Sequence, residues 1–176
     1  GSASVTAAIA SVGYENTVSL WIKPTTSIAS KTLVTSGKLT TNASGQPVYG
    51  NCTGTAIPLN TWTHILAVSK GSGYCAIFQN GVQTVTNTTG VSFGASVNIG
   101  GSSYTGLIDE VKIYNYALTP EEVLVDYNQG KALQLGALGT DPSDGVMPSN
   151  ADLAEYCVPG DTATCRAPVG EWLFDE

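Results

Sequence analysis

Between residues 4 and 114 the chain keeps a period of two, interrupted every few residues by Gly, Ser, Asn or Pro. That rhythm predicts short antiparallel strands. TVSLWIKP is the clearest run: Val18, Leu20 and Ile22 fall on one side, Thr17, Ser19 and Trp21 on the other, and Pro24, which has no N–H to give a ladder, ends it. WTHILAVS repeats the pattern with Trp62, Ile65 and Val68 around a short apolar run. YCAIFQNGVQTVT holds two β-prone runs joined by Asn80-Gly81, residues that tolerate the positive φ of a type I′ turn, so it predicts a hairpin. SVNIGG and GLIDEVKIYNYAL supply two more strands. Runs this short and this often punctuated predict an all-β fold of two facing antiparallel sheets, not an α/β one.

One helix is written into LTPEEVLVDYNQG. Thr119 stands at the N-cap, Pro120 at the first helical position and Glu122 three residues after the cap, a capping box. Val123 and Tyr127, four apart, form the buried stripe, and Gly130 is the stop signal. The helix is expected to plug an edge of the sandwich. From Lys131 to Pro168 turn residues dominate and the pattern dissolves; it returns at Val169, where EWLFDE sets Trp172 and Phe174 on one face and Glu171, Leu173 and Asp175 on the other. The predicted organisation is a sandwich over 1–130, a linker over 131–168 and an extended C-terminal tail strand over 169–176.

The balance of residues narrows the partners. Charged residues are only 12% of the chain and the net charge is -7. Seven scattered Lys and Arg cannot neutralise a run of phosphates, so nucleic acid is excluded as a partner, and an anionic membrane surface with it. No stretch reaches the roughly 20 apolar residues that span a bilayer, so no membrane insertion is expected. The four cysteines, Cys52, Cys75, Cys157 and Cys165, lack C-x-x-C spacing, which argues for disulfides over a zinc site. Three pairings are open; Cys52–Cys75 with Cys157–Cys165 is preferred because each pair lies within one segment. Asn42, Asn51 and Asn87 open Asn-x-Ser/Thr sequons in turn-like stretches. Covalent glycans on a secreted or cell-surface protein would suit them.

Read in order, TVSLWIKP, LNTWTHILAV, AIFQNGVQTVT and GLIDEVKIYNYALTPEEV resemble the laminin-G-like branch of the concanavalin A-like jelly rolls. The resemblance implies a two-sheet antiparallel jelly-roll sandwich of roughly twelve strands. It also implies a core-supporting role for His64. In that family a strand of the form W-x-F-D-E opens the domain; here nothing comparable precedes residue 14, and EWLFDE stands instead at 171–176. The body is therefore expected to lack one strand, which the tail carries.

A sheet short of a strand exposes unpaired N–H and C=O groups beside an apolar groove. Filling it with a six-residue strand anchored by Trp172 and Phe174 returns on the order of 10 kcal/mol before ordering costs. Val169, Glu171, Trp172, Leu173 and Phe174 are thus the predicted interaction residues. Three fillings are open: insertion into the next copy, generating a head-to-tail filament; the start of a following domain in a tandem array; or return to the same domain. Donation to the next copy is the preferred reading, giving an extracellular structural subunit whose partner is itself. The alternative is a carbohydrate-binding module of a secreted multidomain protein.

Catalytic groups are not expected. Asp109 and Glu110 are adjacent, which on a regular strand points them to opposite faces, so they cannot flank one glycosidic bond. The single His64 has no evident Ser/Asp grouping in sequence. No cofactor is called for; a Ca²⁺ site would draw on Asp109 or on Asp141 and Asp144. For sugar stacking the candidates are Tyr14, Tyr49 and Tyr104.

Overall fold

The computed structural model describes residues 4–10, 12–35, 38–100, 104–129 and 170–172. One sheet takes β1 (Ser4–Ala8), β10 (Ser96–Gly100), β3 (Thr32–Val34), β4 (Leu39–Thr41), β5 (Pro47–Tyr49) and β6 (Cys52–Thr53), in that spatial order. The other takes β12 (Gly170–Trp172), β11 (Gly106–Tyr114), β2 (Asn16–Pro24), β7 (Thr63–Ser69), β8 (Cys75–Gln79) and β9 (Val82–Asn87). Every pairing is antiparallel. This is the predicted jelly-roll sandwich, twelve strands, one α-helix and a single 3-10 turn at Gly71–Gly73 among the described residues.

Period two does its work in β2. Val18, Leu20 and Ile22 enter the core between the sheets, where they meet Leu33, Leu39, Tyr49, Val97 and Ile99 of the first sheet and Ile65, Ile77, Val111 and Ile113 of their own. Each such side chain contributes about 1.5–3 kcal/mol by leaving water. Asn16 adds a polar tie across the sandwich: its Nδ2 donates to Gly13 and Val91 carbonyls at 2.7 and 2.8 Å, and its Oδ1 accepts from the Tyr49 hydroxyl. Burial pushes the Tyr49 phenol up, so it remains a donor.

The helix α1, Pro120–Gln129, does not plug an edge; it lies on the outer face of the second sheet. There Val123 joins Leu66, Val68, Ala76, Phe78, Tyr114 and Leu118 in a second apolar cluster. This explains the apolar run of β7, which is buried on both faces: Ile65 and Ala67 face the other sheet, Leu66 and Val68 face the helix. Val68 and Ile65 thus point opposite ways, and Trp62, just before the strand, is 38% exposed. The capping box forms as predicted, Glu122 N donating to Thr119 Oγ1 at 3.3 Å and Thr119 N to Glu122 Oε2 at 2.7 Å.

The β8–β9 turn has both Asn80 and Gly81 at positive φ, 51° and 77°, as a type I′ turn requires. It is tucked under α1: a Cβ on Gly81 would come within 2.7 Å of Tyr127 Cδ1. Gly90 makes room for backbone, since a Cβ there would sit 1.8 Å from the Gly71 carbonyl oxygen.

In β11 the register slips by one residue between Asp109 and Lys112, with Glu110 at φ 46°. This bulge corrects the expectation that Asp109 and Glu110 face opposite ways. Asp109 pairs with Trp21 on the outer face, and Glu110 Oε2 lies 3.8 Å from Nζ of Lys112, which is held to α1 on that same face. An inserted residue on one strand breaks simple alternation.

At the edge of the second sheet β12 pairs with β11 of the same chain. Gly170 lies opposite Ile113, Glu171 opposite Lys112 and Trp172 opposite Val111. The tail thus adds a strand to the sandwich within one chain. Val169, Leu173 and Phe174 lie outside the described residues, as do the stop signal Gly130 and the pair Cys157 and Cys165.

Cys52 and Cys75 are bonded, with Cα atoms 6.2 Å apart, as the sequence reading prefers. The bond runs from β6, at the edge of one sheet, to β8 in the other. It closes a loop of sequence separation 23, for which unfolded-chain entropy gives about 3 kcal/mol. Replacing both cysteines by serine is expected to lower the urea-unfolding free energy by about that amount, with the fold retained in circular dichroism.

Candidate functional site

The polar residues of the second sheet's outer face converge on Asp126. This residue falls three after Val123 and one before Tyr127, so the helix turns it toward the sheet. Its Oδ2 accepts from the Ser19 hydroxyl and lies 3.1 Å from His64 Nε2, while Oδ1 accepts from Lys112 Nζ at 3.3 Å and from Tyr114 Oη at 3.1 Å. Ser19, His64, Lys112 and Asp126 are all at most 4% exposed. They come from β2, β7, β11 and α1, so the cluster welds helix to sheet. Above it Trp21 stacks on Tyr127 with ring centroids 5.7 Å apart, and His64 lies 5.2 Å from Trp21.

Burial alone would raise the Asp126 carboxyl. The hydrogen bond with His64, the charge of Lys112 and the Ser19 hydroxyl outweigh it and hold that carboxyl well below the usual carboxylate range. Burial also raises Glu110, against the pull of Lys112 and with the repulsion of Asp109 and Asp126.

Ser19, His64 and Asp126 are therefore together in space although scattered in sequence, a grouping the linear reading misses. Their geometry is not that of a nucleophile relay. Ser19 Oγ lies 2.9 Å from His64 Nε2, the same nitrogen that meets Asp126, whereas a relay needs the acid on the other ring nitrogen. His64 Nδ1 is buried and has no partner among the described residues. The implied core-supporting role of His64 fits these contacts.

Of the tyrosines proposed for sugar stacking, Tyr49 is fully buried and Tyr104 is 5% exposed, its hydroxyl donating to the Leu107 carbonyl at 2.9 Å. Both are core residues because their rings close the space between the sheets. Tyr14 is 49% exposed. The sequence reading assigned Trp62 inward; instead it stands at the opposite end of β2 from Tyr14, in line with Lys23 and Leu107, which pair across β2 and β11. Leu59, shortly before β7, and Leu107 are likewise exposed.

The sequons occupy two places. Asn42 uses its side chain locally, Oδ1 accepting from Ser44 and Gln46 N and Nδ2 donating to Gln46 Oε1. Asn51 and Asn87 are neighbours, Asn87 Nδ2 donating to the Asn51 carbonyl and Asn51 Nδ2 to Thr89 Oγ1, both at 3.0 Å. For Ca²⁺, which takes 6–8 oxygens, Asp109 Oδ1 is occupied by the Glu110 N–H at 2.8 Å, and Asp141 and Asp144 lie outside the described residues. No group of three or more His, Cys, Asp or Glu converges on a metal position among the described residues.

Residues 1–124 match the Laminin_G_3 family model, of the concanavalin A-like lectin/glucanases superfamily. No curated protein matches the chain. Among solved structures, domain 4 of AbnA, an extracellular arabinanase from Geobacillus stearothermophilus in complex with arabinotriose, is 26% identical, with TM-score 0.50 over 65% of this chain and 67% of that one. A heptameric SAP-like pentraxin from Limulus polyphemus is 19% identical, with TM-score 0.53 over 69% and 73%. A Trypanosoma rangeli sialidase mutant is 16% identical, with TM-score 0.51 over 66% of this chain but only 23% of its own.

Removing the Asp126 side chain strands a buried Lys112 charge and frees the helix from three strands. Asp126→Ala is expected to cost about 3–5 kcal/mol at neutral pH, read as a lowered midpoint in urea unfolding, whereas Leu124→Ala on the exposed face of α1 is expected to stay within about 0.5 kcal/mol of the parent.

Proposed function

The chain belongs to the Laminin_G_3 family of the concanavalin A-like lectin/glucanases superfamily, and from that premise we propose that it is a carbohydrate-binding module of a secreted protein. The observation that carries this reading is its 26% identity to an arabinanase domain captured with arabinotriose. Trp62 supplies suitable chemistry: an exposed indole for a sugar ring, in line with Lys23 and Leu107, which pair across β2 and β11. The Cys52–Cys75 bond suits an oxidising compartment and supports an extracellular location. The module binds and does not cleave; this is supported by Glu110 facing Lys112 and by Ser19 and Asp126 sharing one nitrogen of His64.

A second reading is favoured by the position of β12. A short strand at a sheet edge, paired through three residues, can be exchanged for the same strand of another copy. Head-to-tail donation would then build a filament of the chain with itself, with Trp172 at the register position opposite the core residue Val111.

Titration calorimetry with arabinotriose and with other short oligosaccharides tests the first reading. Binding is expected, and Trp62→Ala is expected to weaken it by about tenfold, or ~1.4 kcal/mol, with Tyr14→Ala unchanged. No binding to any glycan on an array overturns it. For the second, light scattering is expected to show assemblies that grow with concentration and disappear on deletion of 169–176. A monomer at every concentration removes it.

A further inference from the structure

Lys112, Asp126 and Glu110 form a group that neither sugar binding nor strand donation uses. The Lys112 ammonium and the Asp126 carboxylate meet at 3.3 Å with both side chains no more than 5% exposed, and the Glu110 carboxylate, 28% exposed, is 3.8 Å from the same Nζ. Burying two opposite charges carries a desolvation cost that their attraction only partly returns. Amide formation between them would remove both charges and release one water.

We propose that Lys112 and Asp126 join in an isopeptide bond that staples α1 to β11, with Glu110 as the proton carrier. Glu110 first takes a proton from the Lys112 ammonium. That proton passes to Asp126 Oδ1, and the neutral amine then attacks Cγ of the neutral acid, forming the N–C bond. Oδ2, held by Ser19 and His64, carries the developing charge and becomes the amide oxygen. Glu110 next takes a second proton from the attacking nitrogen and hands it to Oδ1, which, beside Lys112 and the Tyr114 hydroxyl, leaves as water as the C–O bond breaks, so the nitrogen keeps one hydrogen. Ammonium and carboxylate become amide and water, so atoms and charge balance without any oxidant or activating cofactor.

The fold supplies what the reaction lacks in water. Helix and strand hold amine and carboxyl in contact, so the step is unimolecular. Their burial keeps bulk water away from the amide and so slows its hydrolysis. The bulge at Asp109–Glu110 brings Glu110 onto the same face as Lys112, where burial favours its taking up a proton.

The test is the intact mass of the folded 176-residue chain with its disulfides reduced, followed by fragmentation of its tryptic peptides. The expected mass is one water below that of the sequence, with Lys112 and Asp126 in one branched peptide. Glu110→Gln is expected to restore the full mass, and Asp126→Asn to lose ammonia in place of water. Acid unfolding gives a second readout. The unlinked Glu110→Gln chain keeps the Asp126 carboxylate, whose stabilisation is present above about pH 4 and lost as pH falls toward its depressed value; the linked chain lacks that loss. A folded wild-type chain of full mass overturns the proposal, as does a missing water traced elsewhere, for example to Asp144-Gly145, with Lys112 and Asp126 in separate linear peptides. A bond formed equally in Glu110→Gln overturns the role of Glu110.

Discussion

The contact on which the rest depends is the seating of one carboxylate, Asp126, beneath a helix on the outside of a sheet. Four donors from β2, β7 and β11 meet its two oxygens. Without α1 in place, Leu66, Val68 and Phe78 would face water, and the second sheet would have one buried face. With it, the sheet is buried twice, and β7 and β8 can be apolar on both sides. The polar node fixes where on that greasy face the helix sits, since only one register of α1 brings Asp126 to Ser19, His64 and Lys112 together.

Much of the sandwich was legible because alternation and turn chemistry are local signals. Val18, Leu20 and Ile22, the Asn80-Gly81 turn and the Thr119/Glu122 box each declare themselves within a few residues, and each appears in place. The strands over residues 32–53 are only two or three residues long, too short for a period to register. The outer-face cluster was hidden for a different reason. Ser19, His64 and Asp126 are separated by 45 and 62 residues, and what unites them is the packing of a helix on a sheet, which no linear pattern records.

Alternation also misled in specific ways. It assigned Trp62, Ile65 and Val68 to one core, but a strand covered on both faces has no polar side to mark its orientation. It separated Asp109 from Glu110, but one inserted residue in β11 turns both to the same side. Tyr49 and Tyr104 read as loop aromatics, yet their flanking strands or loops deliver the rings inward, where Asn16 and the Leu107 carbonyl satisfy the hydroxyls.

The disulfide between β6 and β8 has a mechanical corollary. Tension drawn on the chain from the C-terminal side of Trp172 reaches β12 first, and its three ladder positions resist peeling far less than the nine-residue strands β2 and β11 at the centre. Should the load pass further in, the span from Cys52 to Cys75 cannot pay out any length, because its two ends are covalently shorted. Among the described strands, a compliant rim at one side thus meets an inextensible segment at the other.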